Sequence, residues 1–281
     1  MHIALFPNTA KRHSKNIAIS IREYLTAQGV SVVTQDEEAE EIGALPLSSV
    51  DPKMIDFIIS LGGDGTILRQ IHRHPHLTAP IVGINLGSLG FMADIPVTDI
   101  YPSLQDLLNG NYQIQERIMI QGQTTHSDIC FAVNEIVIHR AQNPGLIDIG
   151  IHVDGIYLNT FCADGLILAT PSGSTAYSLA AGGPILTPEL DAFVLTPICP
   201  HTISNRPIVL MSNQNIQVQY ISEYAPVEII FDGFTRFMMA TGEVLRVGLS
   251  PRKFRLVYLR YHDYFSTLRT KLGWTGKLKA P

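Results

Sequence analysis

The chain has 281 residues, with 20 Lys and Arg against 25 Asp and Glu for a formal net charge of −5, and 46% hydrophobic against 16% charged residues. That balance excludes a disordered or fibrous chain and supplies enough apolar material for one large domain or two smaller ones. No basic stripe is present, so a dedicated nucleic-acid binder and an electrostatic membrane binder are both excluded; neutralising phosphates takes clustered Lys and Arg.

The first apolar run ends at Lys11 with no basic stretch ahead of it, so no signal peptide is legible. An apolar strand at Ile3–Phe6 is followed by a helix opened by Ser14, with Ile17, Ile21 and Leu25 on one face and Gly29 at its end. A β-rich run Val30–Thr34 comes next, then the acidic segment Asp36–Glu41, which reads as a solvated loop. The strand Phe57–Leu61 leads into a glycine cluster, a helix ending at Pro75 and a further strand Ile81–Ile84. Strands alternating with helices predict a parallel sheet covered by helices, so residues 1–95 read as an α/β domain.

After a helix around Ile100–Leu108, stopped by Gly110, period-2 alternation takes over. Ile114, Ile118 and Ile120 recur at even spacing, and Ile147, Ile149, Ile151 and Val153 lead into an Asp154-Gly155 hairpin turn. A second Asp-Gly pair, Asp232-Gly233, sits between Val227–Phe231 and Phe234–Met239. Residues 96–262 therefore read as a mainly antiparallel β domain, and the tail 263–281, helical over Asp263–Leu272, as packing back on the first domain. The longest uncharged stretch, Gly165–Pro188, is too rich in Gly, Pro, Ser and Thr to span a bilayer. The three cysteines, Cys130, Cys162 and Cys199, are far apart and lack C-x-x-C spacing, which predicts reduced thiols in a cytoplasmic protein and no structural zinc.

Three segments carry candidate chemistry. Leu61-Gly62-Gly63-Asp64-Gly65-Thr66 lies where a buried strand ends and a helix begins, the place where parallel sheets bind ligands. Glycines there let backbone amides approach phosphate oxygens, and the helix N-terminus adds partial positive charge. The Walker A pattern is absent, and Leu68 spoils a dinucleotide fingerprint. On spacing alone, a tight turn with Asp64 as helix cap competes with a phosphate site. Asn134-Glu135, polar within the apolar run Phe131–Ile138, is costly unless hydrogen-bonded; ligand hydroxyls or an edge-strand backbone are both candidate partners. Ala163–Tyr177 is a short strand feeding a Pro/Ser/Gly turn, with Tyr177 as a stacking platform, or else plain capping. Ser174 lacks a nucleophile-elbow context. His72, His74 and His76 at a helix end read as a solvated loop rather than a metal site.

Together these residues resemble the bacterial NAD kinase family, which transfers a phosphoryl group from ATP or polyphosphate to the 2′-hydroxyl of the adenosine ribose of NAD. The resemblance runs through Gly62-Gly63-Asp64-Gly65-Thr66, Asn85-Leu86-Gly87-Ser88-Leu89-Gly90-Phe91, Asn134-Glu135, and Asp164-Gly165 on to Thr175-Ala176-Tyr177. It continues through Ala181-Gly182-Gly183-Pro184-Ile185, the His201–Pro207 segment and Lys271-Leu272-Gly273-Trp274. It implies a Rossmann-like, diacylglycerol-kinase-like N-terminal domain and a β-rich NAD-binding C-terminal domain. It also implies that Asp64 is the catalytic base and that Gly62, Gly63, Gly65 and Thr66 hold the donor phosphates with Mg²⁺. Residues assigned to NAD are Asp64, Gly65, Arg69, Phe91, Asn134, Glu135, Cys162, Asp164, Thr175, Ala176, Tyr177, Ser178 and Ala180. Relatives form homodimers or homotetramers whose dinucleotide site draws on a neighbouring subunit, which implies a symmetric oligomer here. Four positions depart from the family pattern: Ser172 for Thr, Cys162 for Arg, Ala180 for Ser, and Phe234 for a polar residue. Lipid and sugar kinases share only the first motif, and a non-catalytic NAD(P) sensor is the rival from another class.

Overall fold

The computed structural model describes residues 1–11, 13–202, 204–259 and 263–274. Ile203 of the His201–Pro207 segment and residues 275–281 of the tail therefore lie outside the described residues. Two compact units are formed, one from Met1–Gln115 with the chain from Arg255 onward, the other from Glu116–Phe254.

The first unit is built on parallel strands in the order Leu45–Pro46, Ser31–Thr34, His2–Pro7, Phe57–Gly62 and Ile81–Asn85. Ile81–Asn85 is flanked by Ile95–Pro96 and, through Leu256, by the end of the long strand Val244–Leu259, again in parallel. These strands are near-continuous apolar runs because helices bury both faces; Ile3, Leu5, Ile59, Leu61 and Ile84 are 0% exposed. Helix Ser14–Ala27 contributes Ala18, Ile21 and Leu25 to this core, and helix Ile100–Leu108 contributes Ile100, Leu104 and Leu107. From the central strand His2–Pro7 the chain winds first to one side and then to the other. The loops after His2–Pro7 and Phe57–Gly62 thus lie at the switch point of the strand order, at the strands' carboxyl ends, where sheets of this kind bind ligands.

One expectation here needs correction. The acidic segment Asp36–Glu41 is not a loop: Asp36–Ile42 is a helix. Ala39 and Ile42 are buried at helical spacing, the three acids Asp36, Glu37 and Glu38 occupy the first turn where the macrodipole favours them, and Gly43 terminates the helix at φ 73°. Counting charge hid two apolar anchors.

The second unit is antiparallel. One sheet runs Ile208–Met211, Ala192–Ile198, Gly165–Ala169, Glu135–His139, Val227–Phe231, Thr235–Met239. Other pairings place Ile147–Val153 between Ile156–Ala163 and Ile216–Tyr220, the last lying beside the Val244–Val247 stretch, while Tyr112–Gln123 pairs with Cys130–Ala132. Alternate residues point into one core, where Ile136, Ile138, Ile147, Ile149, Ile151, Leu166, Leu168 and Phe231 meet. Both Asp-Gly turns have left-handed torsions at each residue, φ 52° and 80° at Asp154-Gly155, as its two-residue hairpin requires, and φ 49° and 79° at Asp232-Gly233, where Phe231 pairs with Thr235 across three residues. The α/β first part and antiparallel second part match the expected fold class. Among the described residues no helix is long and apolar enough to cross a membrane.

Candidate active site

In the first unit, Phe57–Gly62 delivers the chain into helix Asp64–Arg73. Gly62 has no room for a side chain, since a Cβ would stand 2.1 Å from Thr66 Oγ1. That oxygen accepts hydrogen bonds from the Gly63 amide at 3.3 Å and Asn8 Nδ2 at 3.1 Å, tying the turn to the segment after the first strand. Gly63 and Gly65 are open where a Cβ would project. Gly65 is exposed in the first turn, where its amide has no intrahelical acceptor and is suited to a phosphate oxygen, while the Thr66 amide already donates to Gly63 O at 2.8 Å. Arg69 is exposed one turn further on. Lys11, which sequence reasoning passed over, brings its ammonium beside Gly87, 3.1 Å from where a Cβ would stand.

Asp64 is neither a simple cap nor a free side chain. Its Oδ2 accepts from the Phe91 amide at 2.8 Å, and its Oδ1 from the amides of Met92 and Ala93 at 3.0 and 2.9 Å. Asn85 shapes the loop that supplies these donors: its Oδ1 accepts from Gly87 N at 2.6 Å and its Nδ2 donates to the carbonyls of Ser88 and Ala93. The Asn85–Phe91 motif is therefore the mould that orients Asp64. Lys271 Nζ reaches into the same loop, donating to the Leu89 carbonyl at 2.8 Å and lying 5.3 Å from the Phe91 ring centroid, while Tyr264 packs on Phe91 at 6.0 Å. Each carboxylate oxygen offers two acceptor positions, so Oδ1 is filled and Oδ2 keeps one for a ligand hydroxyl.

In the second unit, the run expected over Phe131–Ile138 is two strands, because the chain changes partners at Val133-Asn134. Asp232 makes that crossing possible: its carboxylate accepts from the amides of Val133, Asn134 and Glu135 at 2.7, 2.8 and 3.1 Å. Sequence reasoning saw Asp232 only as a turn residue. Asn134 and Glu135 are buried, and neither Asn134 Oδ1 nor Glu135 Oε2 has a hydrogen-bond partner within the protein. Burial, and then the negative charge of Asp232, push the Glu135 carboxyl up from its ordinary 4.5 to about 8.

The turn after Gly165–Ala169 packs directly on this pair. Thr170 donates its amide to Asn134 O at 2.8 Å and its hydroxyl to Val133 O at 2.5 Å, and a Cβ on Gly173 would lie 2.1 Å from Asn134 O. Ser174 is an internal clamp, fully buried, donating to Pro171 O and accepting from Leu186 N at 2.9 Å. Buried Arg117 donates to the hydroxyl of Ser172 at 3.3 Å. Thr175 and Ala176 are half-buried, Tyr177 is 43% exposed and Ala180 is exposed. The Ser178 hydroxyl is turned inward instead, shared with Thr196 at 2.9 Å. Asp164 is ion-paired to Arg140, Nε to Oδ1 2.8 Å, a partner no sequence signal announced. Cys162 lies opposite Asp148 in its hairpin; burial and then Asp148 push its thiol up, which favours the neutral thiol.

The raised Glu135 carboxyl makes stability pH-dependent. Between about 4.5 and about 8 the folded chain holds a proton that the unfolded chain has released, so stability falls as pH rises through this window, by up to roughly 1.4 kcal/mol per unit. Glu135→Gln is expected to flatten that slope and to be stabilising at pH 9 but not at pH 4. Denaturant unfolding at the two pH values measures it, and identical pH dependence in both proteins would contradict the assignment.

Two family models match the chain, the ATP-NAD kinase N-terminal domain over residues 3–112 and the ATP-NAD kinase C-terminal domain over residues 133–259. The NAD kinase of Protochlamydia amoebophila is 61% identical over 277 residues, 99% of each chain, and that of Geotalea daltonii 39% identical over 278 residues, 97% of this chain and 98% of its own. Among solved structures, yeast NADH kinase complexed with NADH is similar at TM-score 0.85 and 26% identity, covering 100% of this chain and 90% of its own. An NAD kinase from Archaeoglobus fulgidus in complex with ATP follows at TM-score 0.76 and 28% identity, covering 98% of this chain and 100% of its own.

Proposed function

The chain belongs to the NAD kinase family, and from that premise we propose how its residues transfer a phosphoryl group from ATP to the 2′-hydroxyl of the adenosine ribose of NAD, making NADP. The observation that carries the assignment of roles is the Asp64 carboxylate, held by three amides with one acceptor position to spare. Asp64 Oδ2 accepts the hydrogen bond of the ribose hydroxyl, aligns its oxygen with the γ-phosphorus and takes the proton late. A weak base suffices because phosphoryl transfer rests on alignment and charge neutralisation. The turn Gly62, Gly63, Gly65 and Thr66, opening the helix at Asp64, receives the donor phosphates.

Among the described residues no three His, Cys, Asp or Glu converge into a metal cage. Mg²⁺ would enter with the donor's phosphates at the turn Gly62, Gly63, Gly65 and Thr66 and would supply charge neutralisation there. In the second unit Asn134 and Glu135, with their unpartnered acceptors, hold the dinucleotide, with Asp164, Thr175, Ala176, Tyr177 and Cys162 beside them and Ser178 and Ala180 at the margin; in the first unit Arg69 and Phe91 are the residues offered to it. The yeast enzyme's NADH complex and the archaeal enzyme's ATP complex support both ligands. We further propose a cytoplasmic homo-oligomer, dimer or tetramer, supported by three free cysteines and by Ile156 and Tyr157 standing 74% and 57% exposed on one hairpin. A monomer by sedimentation would count against the assembly.

An NAD analogue lacking the adenosine 2′-hydroxyl should bind yet yield no phosphorylated product. Phosphate transferred to that analogue would refute the assigned acceptor. Tyr177→Ala should raise the NAD Kd about tenfold through lost stacking, with kcat at saturation little changed; an unaltered Kd by calorimetry removes Tyr177 from the site.

A further inference from the structure

Asp232 does more than an Asp-Gly turn requires. Its torsion, φ 49°, is equally open to Asn or Gly, yet a carboxylate stands there 8% exposed and spends both oxygens on three consecutive amides far away in sequence. Its own amide donates to Glu135 O at 3.1 Å, so four hydrogen bonds fix the backbone of Val133–Glu135. That backbone displays Asn134 and Glu135, 8% and 9% exposed, with Asn134 Oδ1 and Glu135 Oε2 lacking partners in the protein. Two adjacent buried acceptors, set beside a buried carboxylate, are a costly arrangement for a scaffold and a useful one for a ligand that donates to both.

We propose that Asp232 is a positioning residue for the dinucleotide: by clamping the Val133–Glu135 backbone it aims the side chains of Asn134 and Glu135 at neighbouring hydroxyl or amino donors of NAD. This rests on the NAD kinase reading above. The neighbours of Glu135 leave Asp232 as the charge that acts on it. The strand Gly165–Ala169 places Ala169 opposite Glu135 and carries no ionisable residue, and the Pro171–Thr175 turn carries none either, although Arg117 reaches Ser172. On the other side, Glu228 lies opposite His139 at the far end of the pairing and is ion-paired to Arg236. Asp232 therefore adds to burial in keeping Glu135 protonated at neutral pH, and a protonated carboxyl offers the ligand an O–H donor beside its acceptor.

The test is steady-state kinetics of the whole enzyme with NAD and ATP from pH 6 to 9.5. Wild type should show a change in the NAD KM near pH 8 that is absent in Glu135→Gln. Asp232→Asn keeps an acceptor for two of the three amides but loses the charge and the bond from Val133. It should raise the NAD KM about tenfold, leave kcat and the ATP KM within about threefold, and move the inflection to lower pH. Asp232→Glu keeps the charge while withdrawing the clamp; it should raise the NAD KM with the inflection near its wild-type position, and it carries the test should the Asn variant not fold. An unchanged NAD KM in the variants, or an inflection unmoved in Asp232→Asn while only thermal stability falls, would overturn the positioning role. Wild type that makes no NADP would instead overturn the reading beneath it.

Discussion

Asp64→Asn is expected to lower kcat by about 10²- to 10⁴-fold while changing NAD affinity far less. The substitution is nearly isosteric, and an amide oxygen in place of Oδ1 still accepts from Met92 and Ala93. The amide nitrogen then faces the Phe91 amide, donor against donor, and cannot take a proton from the ribose hydroxyl. Ground-state contacts elsewhere in the site survive, so the loss falls on turnover. Single-turnover kinetics beside calorimetric titration of NAD separate the two quantities. Near wild-type turnover would remove Asp64 from the role of base.

Gly90→Ala, a change outside the glycine cluster that carries Asp64, should be almost as damaging, lowering kcat by roughly 10²-fold or more. A Cβ at Gly90 would lie 2.0 Å from Asp64 Oδ1 and 2.9 Å from the carbonyl oxygen of Ala93. The carboxylate can escape only by abandoning the amides that orient it, and Gly90 itself is fixed by its bond to that same carbonyl. Misplacement by an ångström is enough to spoil in-line transfer. Gly145→Ala, where a Cβ meets open space, serves as the control. Gly90→Ala with wild-type kcat would show that the loop yields and that the mould does not hold Asp64.

Much of this arrangement was legible in the order of residues. The apolar runs Phe57–Leu61 and Ile81–Ile84 announced a parallel sheet because both their faces are buried, and the even spacing of Ile147, Ile149 and Ile151 announced a half-buried antiparallel strand. Gly62 and Asp64 stood out as glycine and acid at a strand's carboxyl end, where local sequence and local geometry coincide. What stayed hidden depends on contacts distant in sequence. Asp232 looked fully explained by its turn, Arg140 gave no sign of Asp164, and the Asn85–Phe91 motif gave no sign that the amides of Phe91, Met92 and Ala93 close around Asp64. The Asp36–Ile42 helix was missed for another reason: five acids among the six residues from Asp36 to Glu41 outweighed Ala39 and Ile42, which decide its burial. A carboxylate in a tight turn with no charged neighbour in sequence is the signal that, read more strictly, points to a distant set of amide donors.

The first measurement mixes purified protein with NAD, ATP and Mg²⁺ and reads product with a dehydrogenase that accepts only NADP, with Asp64→Asn run in parallel. The expected result is NADP from the wild type and almost none from the variant, both binding NAD. Measurable NAD binding with no NADP from ATP, another nucleoside triphosphate or polyphosphate would contradict phosphoryl transfer at Asp64 and leave a dinucleotide sensor in its place.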